Sequence, residues 1–460
     1  MNRLIKPLLV IAFLGIFNAC SDDDPPLPDN LASFESTAKG FEGESVDVKI
    51  NLSRAAESAV SISVALTPTL LTYGTQFTTE PAATNNTLAL TIPAGQSSAT
   101  FKVLKKTGVL LNGDETIQFK IASVSTPVLA GTNTELKLSF KAIVSDGTSL
   151  QLNGIAANEA GSAAGNSVYL DLSGNVQTPV LRDSWDLGFN SGADFRVILN
   201  NTNGASAIEI NKSDINTVSD KDLDISTLSV GQGVGTFALY DGVTGDITKT
   251  VIKEISATDA DNKVYVINRA GGSGSVLTVD KIYKVRVLRK GTGYTLQYAK
   301  LNETTFKTLD VTKDPTYNFQ FASLEKGAAV NVEPAKARWD IVWGYSLYFT
   351  GTTPYAFSDL VFINQRAGVT AAEVLTSATT YDSFAEANVT GITFSADRDI
   401  IGSKWRVTSG GTVGVKTDRF YLIKDAAGNV YKLRFLSFHP SDGGERGKPK
   451  LEYKLVKKGA

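Results

Sequence analysis

One histidine, one cysteine and one methionine in 460 residues bound the chemistry this chain can do. His439 is the only imidazole, Cys20 the only thiol, and the methionine is the initiator. A Ser-His-acid triad would rest wholly on His439, and no G-x-S-x-G elbow precedes it. H-E-x-x-H and Cys/His zinc spacings cannot be built from one residue of each kind. Gly231-Gln232-Gly233-Val234-Gly235 does not match the dinucleotide pattern G-x-G-x-x-G. Carboxylates are plentiful, but nothing in the sequence selects a pair for glycoside hydrolysis. The chain therefore reads as a binder or scaffold and not as an enzyme. What remains for binding is aromatic. Trp343, Tyr345, Tyr348, Phe349, Tyr355, Phe357 and Phe362 crowd one short stretch, a composition suited to a planar or apolar ligand. Trp343, Tyr345, Tyr348 and Tyr355, with His439, are the candidate ligand contacts. A net charge of −2 and the lack of a basic stripe interleaved with aromatics argue against nucleic acid.

The elements that must position these residues come in two copies. WDLGF at 185–189 recurs as WDIVW at 339–343. VYVINRAGG (264–272) matches FYLIKDAAG (420–428), IYKVRVL (282–288) matches VYKLRFL (430–436), and TLQYAKL (295–301) matches KLEYKLV (450–456). Four blocks in one order define an internal repeat of roughly 150 residues. Each tryptophan is expected in the core. Each adjacent aspartate is expected to bond turn backbone or a lysine, Lys284 in one copy and Lys432 in the other. The aromatic stretch belongs to the second copy, and the matching stretch of the first is polar, with Asn200, Asn201 and Asn203.

The N-terminus carries an address. Arg3 and Lys6 precede an apolar run, Leu8–Phe17, that ends in Asn18-Ala19-Cys20. The run is about half the roughly 20 residues needed to span a bilayer, so it reads as a secretion signal. A lipidated Cys20 explains a lone cysteine in an exported chain, and several acyl chains give a firm anchor. Ser21-Asp22-Asp23-Asp24 and Pro25-Pro26-Leu27-Pro28 then form an acidic, extended tether. Residues 1–19 are thus the lipoprotein signal and 20–30 the tether. The acidic residues after Cys20 resemble the surface-export signal of some Gram-negative lipoproteins, which implies the outer membrane, facing outward, as the expected location.

Residues 31–146 alternate apolar and polar, as in Val46, Val48, Ile50 and Leu52, then Ile117, Phe119 and Ile121, then Leu136, Leu138 and Phe140. Period two with short polar breaks predicts six or seven half-buried strands in a β-sandwich. Residues 147–312 and 313–460 hold the two repeats. Thr370 to Glu373 fits a capping box, flanked by Val369 and Val374 as a staple, and predicts a short helix. The fold class is mainly β: a sandwich followed by two repeated all-β modules with short helices.

Two resemblances add to this reading. Glu42-Gly43-Glu44-Ser45-Val46, the Ile92-Pro93-Ala94-Gly95-Gln96 turn and Gly113-Asp114-Glu115-Thr116 resemble a Calx-β-like module. Some modules of that kind bind Ca²⁺ through clustered carboxylates, which implies Glu42, Asp114 and Glu115 as calcium ligands here. The Trp-Asp phrases, Tyr381-Asp382-Ser383-Phe384 and the 420–438 segment resemble the HmuY-like haem-binding lipoproteins over 147–458. That resemblance implies an all-β fold and capture of haem, or another small hydrophobic ligand, for a membrane receptor. Family members use paired histidines or methionines on the iron, and a chain with His439 alone cannot form either pair. What is left is tyrosine ligation, one histidine with an open site, or no ligation of the iron. The rival expectation is a structural or adhesive surface lipoprotein that has lost haem.

Overall fold

The structure is a computed structural model, described here for residues 28–41, 43–106, 115–140, 144–159 and 161–459. Cys20, the signal, most of the tether, Glu42 and Asp114 lie outside the described residues. The chain divides into two compact units, Met1–Ile143 and Val144–Ala460.

The first unit is a sandwich of two five-stranded sheets. One sheet has Ser45–Leu52 beside Ser98–Lys105 and Leu31–Phe34; the other has Val60–Thr69 beside Thr116–Val124 and Thr87–Ile92. The alternation in sequence is the alternation of burial. Val48, Ile50 and Phe101 from one sheet, with Val64, Phe119 and Leu138 from the other, fill a single core. Each such side chain, removed from water, stabilises the fold by roughly 1.5–3 kcal/mol.

The second unit does not place its two repeats side by side. They exchange strands. Asn166–Asp171, which opens the first repeat, pairs with Ile341–Thr350, the Trp-Asp strand of the second. Phe319–Ser323, which opens the second, pairs with Leu187–Asn190, the Trp-Asp strand of the first. The exchange extends further. Gly147–Gln151 adds to the C-terminal sheet through Lys450–Lys457, while Lys307–Val311 adds to the equivalent sheet of the first repeat through Gly293–Lys300. Gly147–Gln151, at the start of the first repeat, thus joins the second, whereas Lys307–Val311 stays with its own repeat.

The two aspartates hold this exchange. Asp186 accepts from Leu324 N at 2.7 Å, and Asp340 accepts from Leu172 N at 2.8 Å. In both cases the donor lies just past the borrowed strand. Expectation and structure part over the side-chain partner. Lys284 donates to Val218 O and Glu303 O, and Lys432 donates to Tyr381 O and Phe384 O. The lysines clamp loops, and the cation on Asp186 is Arg269 at 2.8 Å. The backbone half of the expectation stands; the lysine half is corrected.

The helix expected at Thr370 is also corrected. Thr370–Leu375 is a strand paired with Arg419–Lys424. Val369 and Val374 belong to different cores, one on each side of this sheet, so they cannot form a staple. Glu373 accepts from Arg419 at 2.9 Å and from the Tyr421 hydroxyl at 3.3 Å, a cross-strand pairing unavailable to a helix start. Among the described residues the one α-helix is Glu386–Val389, and short 3-10 turns make up the other helical segments.

Candidate functional site

The aromatic stretch is an elongated hairpin, Ile341–Thr350 and Thr353–Ile363. Asn200 and Asn364 mark equivalent points in the two copies, since they donate to Trp185 O and Trp339 O respectively. From tryptophan to asparagine the second copy spans 25 residues against 15 in the first, and the added residues lie around the hairpin tip between Gly344 and Leu360. The polar Asn200–Asn203 segment is therefore not its counterpart, which corrects the alignment of the two stretches. Asn201–Asn203 forms a 3-10 turn instead.

A bulge sets which aromatics face the ligand side. The register shifts between Gly344 and Ser346, so Ser358 and Asp359 lie opposite Tyr345 alone. Asp359 has a positive φ of 59°, a rare backbone state for a non-glycine residue. It is held there from three directions. Its carbonyl accepts from Trp405 Nε1 at 3.0 Å, its carboxylate pairs with Arg446 at 2.8 Å, and Arg446 also reaches Ser358 Oγ at 2.9 Å. Bulges re-aim side chains. Strict alternation would put Trp343 and Tyr345 on one face. Instead Trp343 lies in the main core with Trp405 and Tyr431, and Tyr345 turns to the Val342 face.

Tyr345, Tyr355 and Phe357 line an open cleft of about 820 Å³, with Arg182 and Arg406 in its walls. The Arg182 guanidinium sits 4.6 Å from the centre of the Tyr345 ring and donates to Ala164 O and Thr202 O. Arg406 donates to Ser358 O, yet its Nε is buried without a partner. Burial pushes the Arg406 guanidinium down to about 10, against the pull of Asp359. It remains a cation at neutral pH, with one donor unused.

The other candidate residues lie elsewhere. Trp343 is only 1% exposed and is core. Tyr348 donates to Asp399 at 2.5 Å and packs on Phe349 and Phe357 outside the cleft lining. His439 caps the turn Pro440–Asp442, its Nδ1 2.6 Å from Ser441 Oγ, and does not line the cleft. Of the five candidate contacts, the structure brings only Tyr345 and Tyr355 together at the cleft. Arg182 and Arg406 were missed in the sequence because an arginine among 45 basic residues carries no mark of its own. Glu115 is buried beside Thr116–Val124. Among the described residues no group of three or more His, Cys, Asp or Glu is placed to hold a metal ion.

A second, smaller space of about 120 Å³ lies between the exchanged sheets. Its walls repeat the pseudosymmetry. Trp185 meets Phe321 edge-on at 4.8 Å, and Trp339 meets Tyr169 edge-on at 5.0 Å. Both tryptophans, 6% and 7% exposed, are core residues that also face this chamber. Four residues of its lining each carry a buried polar atom without a partner: Trp339 Nε1, Arg366 Nε, Glu333 Oε2 and Asn201 Oδ1. An unsatisfied buried group costs about 1–3 kcal/mol, so four around one space ask for a reason.

Burial pushes the Glu333 carboxyl up to about 7, against the pull of Arg398 and Arg366. The residue as a whole is half-buried, but its Oε2 is sealed from solvent. Burial likewise pushes Asp241 up to about 7, although its carboxylate accepts from Leu199 N and Val251 N. Both folded-state values lie above the unfolded ones. The native state then keeps protons that the unfolded chain sheds, so stability is greatest below the unfolded values and falls as pH rises to about 7. We predict that the urea midpoint of the second unit drops between pH 5 and pH 7.5, by up to about 3 kcal/mol per group. Glu333→Gln should remove a large part of that slope. A midpoint that rises over the interval would contradict the assignment.

Residues 163–453 match the profile of a family described as HmuY protein. No curated protein matches the chain. Among solved structures, the chain is similar to the apo form of the Calx CBD1 domain, with 13% identity and a TM-score of 0.22, over 25% of this chain and 96% of that one. It is similar to the calcium binding domain CBD12 of CALX1.1, with 11% identity and a TM-score of 0.21, over 52% and 77%. A two-domain protein of unknown function from Bacteroides fragilis shows 8% identity and a TM-score of 0.19, over 73% and 88%.

Proposed function

The chain belongs to the HmuY family, and from that premise we propose that it is a surface lipoprotein that captures haem in the open cleft of its second unit. Family membership suggests haem binding at a bacterial surface and no catalysis. The observation that carries the cleft assignment is the Arg406 guanidinium, a cation set in the same wall as Tyr355 and Phe357. A haem needs a flat apolar contact surface and cationic partners for two carboxylates. Tyr355 and Phe357 offer the first, Arg406 and Arg182 the second. Size decides between the two spaces. About 820 Å³ suits a tetrapyrrole, and about 120 Å³ does not.

Bound haem supplies an iron centre that a tyrosine oxygen can ligate. Tyr355 is the residue we assign to that role. The Tyr345 hydroxyl is packed against Gly272, where even a Cβ would come within 2.8 Å, so Tyr345 acts as a wall. Anchoring through Cys20, outward display, and transfer of the ligand to a membrane partner complete the proposal. The rival reading, an adhesive or structural lipoprotein without haem, draws support from one fact: among the described residues no His, Met or Cys lines the cleft.

Hemin titration of the wild type and of Arg406→Ala tests the assignment. Loss of a charge-assisted hydrogen bond, worth about 1.5–3 kcal/mol, should weaken binding by roughly tenfold or more. Equal affinity in the two proteins would remove Arg406 from the site. No saturable binding by the wild type would favour the scaffold reading.

A further inference from the structure

We propose that the chamber between Trp185 and Trp339, which shares the wall of Tyr345 with the cleft, is a second binding site for a neutral planar single-ring nitrogen heterocycle that carries an amino group. The inference does not depend on haem. It starts from four unpartnered polar atoms on residues that line one space, Trp339 Nε1, Arg366 Nε, Glu333 Oε2 and Asn201 Oδ1. Poor local packing does not explain them, because other polar groups in the same wall are well matched. Asp241 accepts from two backbone amides. Asn364 donates to Lys336 O and Trp339 O and accepts from Asn318.

Volume limits the ligand. A cavity of roughly 150 Å³ accommodates benzene, so about 120 Å³ leaves room for one small ring. The walls favour a flat molecule, since Trp185, Trp339, Tyr169 and Phe321 present rings on both exchanged sheets. The unpartnered atoms set its polar pattern. Trp339 Nε1 and Arg366 Nε are donors and ask for two acceptors on the ligand. Glu333 and Asn201 are acceptors and ask for two donors. An aminated ring nitrogen heterocycle supplies both sets on a single edge. Charge selects neutrality, because Arg366 and Arg398 line the same chamber beside Glu333. Entry is provided where the segment around Gly245 and Asp246 forms part of the lining and reaches solvent.

The probe is 2-aminopyrimidine, neutral at pH 7, with benzene as the apolar control of similar shape. Binding to the full chain is followed by ligand-observed NMR and by tryptophan fluorescence. We expect saturable binding of 2-aminopyrimidine, at least tenfold weaker binding in Glu333→Met, and no displacement by a stoichiometric amount of hemin. Trp339→Phe, which removes the donor and shortens the ring, should also weaken binding if Glu333→Met fails to fold. Benzene bound as tightly as 2-aminopyrimidine would show an apolar void and overturn the proposal. Absence of saturable binding into the millimolar range, or displacement by hemin, would overturn it equally.

Discussion

Asp186→Ala is expected to lower the stability of the second unit by about 3–5 kcal/mol, the usual effect of removing one partner from a buried ion pair. The Asp186 side chain is fully buried, and its partner Arg269 is nearly so. Alanine leaves Arg269 with only the exposed Glu325 at 2.8 Å. It also leaves Leu324 N, at the end of the borrowed strand, without its acceptor. For a unit of this size the melting temperature should fall by roughly 5–10 °C. Asp186→Asn keeps an acceptor for Leu324 N and should lose less. A melting temperature unchanged in Asp186→Ala would mean that the aspartate does not hold the exchange.

Arg446→Ala is expected to act on the site as well as on the fold. Asp359 is 1% exposed, and Arg446 is the cation bonded to its carboxylate. Removing it leaves a buried carboxylate at a positive-φ residue, a loss of about 3 kcal/mol. The bulge should then relax. Ser358 would shift with it, and Arg406 is tethered to the Ser358 carbonyl. Hemin affinity should therefore drop in Arg446→Ala although Arg446 does not line the cleft. Arg446→Lys, which keeps the charge, should recover part of both losses. Full hemin affinity in a destabilised Arg446→Ala would separate the bulge from the site.

How far the sequence foretells these features depends on how local their causes are. The strands were legible because burial follows alternation, as at Val46–Leu52 and Ile117–Ile121. The Trp-Asp phrases were legible as a repeat and as core. Their exchange was not, because strand pairing between Asn166–Asp171 and Ile341–Thr350 spans most of the unit and leaves no local mark. Thr370–Glu373 misled because a four-residue capping pattern also suits a strand whose glutamate meets Arg419 across the sheet. Trp343 misled for a different reason. One bulge at Asp359 reverses the facing of Tyr345 relative to Trp343, and no turn residue announces it. Glu333, between Val332 and Pro334, carries no signal in its neighbours; only the enclosure of its carboxylate sets it apart.

The most direct test is an absorbance titration of the mature wild-type chain with hemin. A saturating, one-to-one shift and sharpening of the Soret band is predicted, with a change of the spectrum in Tyr355→Phe and none in His439→Ala. A Soret band that never departs from that of free hemin would contradict capture of haem in the Tyr355–Arg406 cleft.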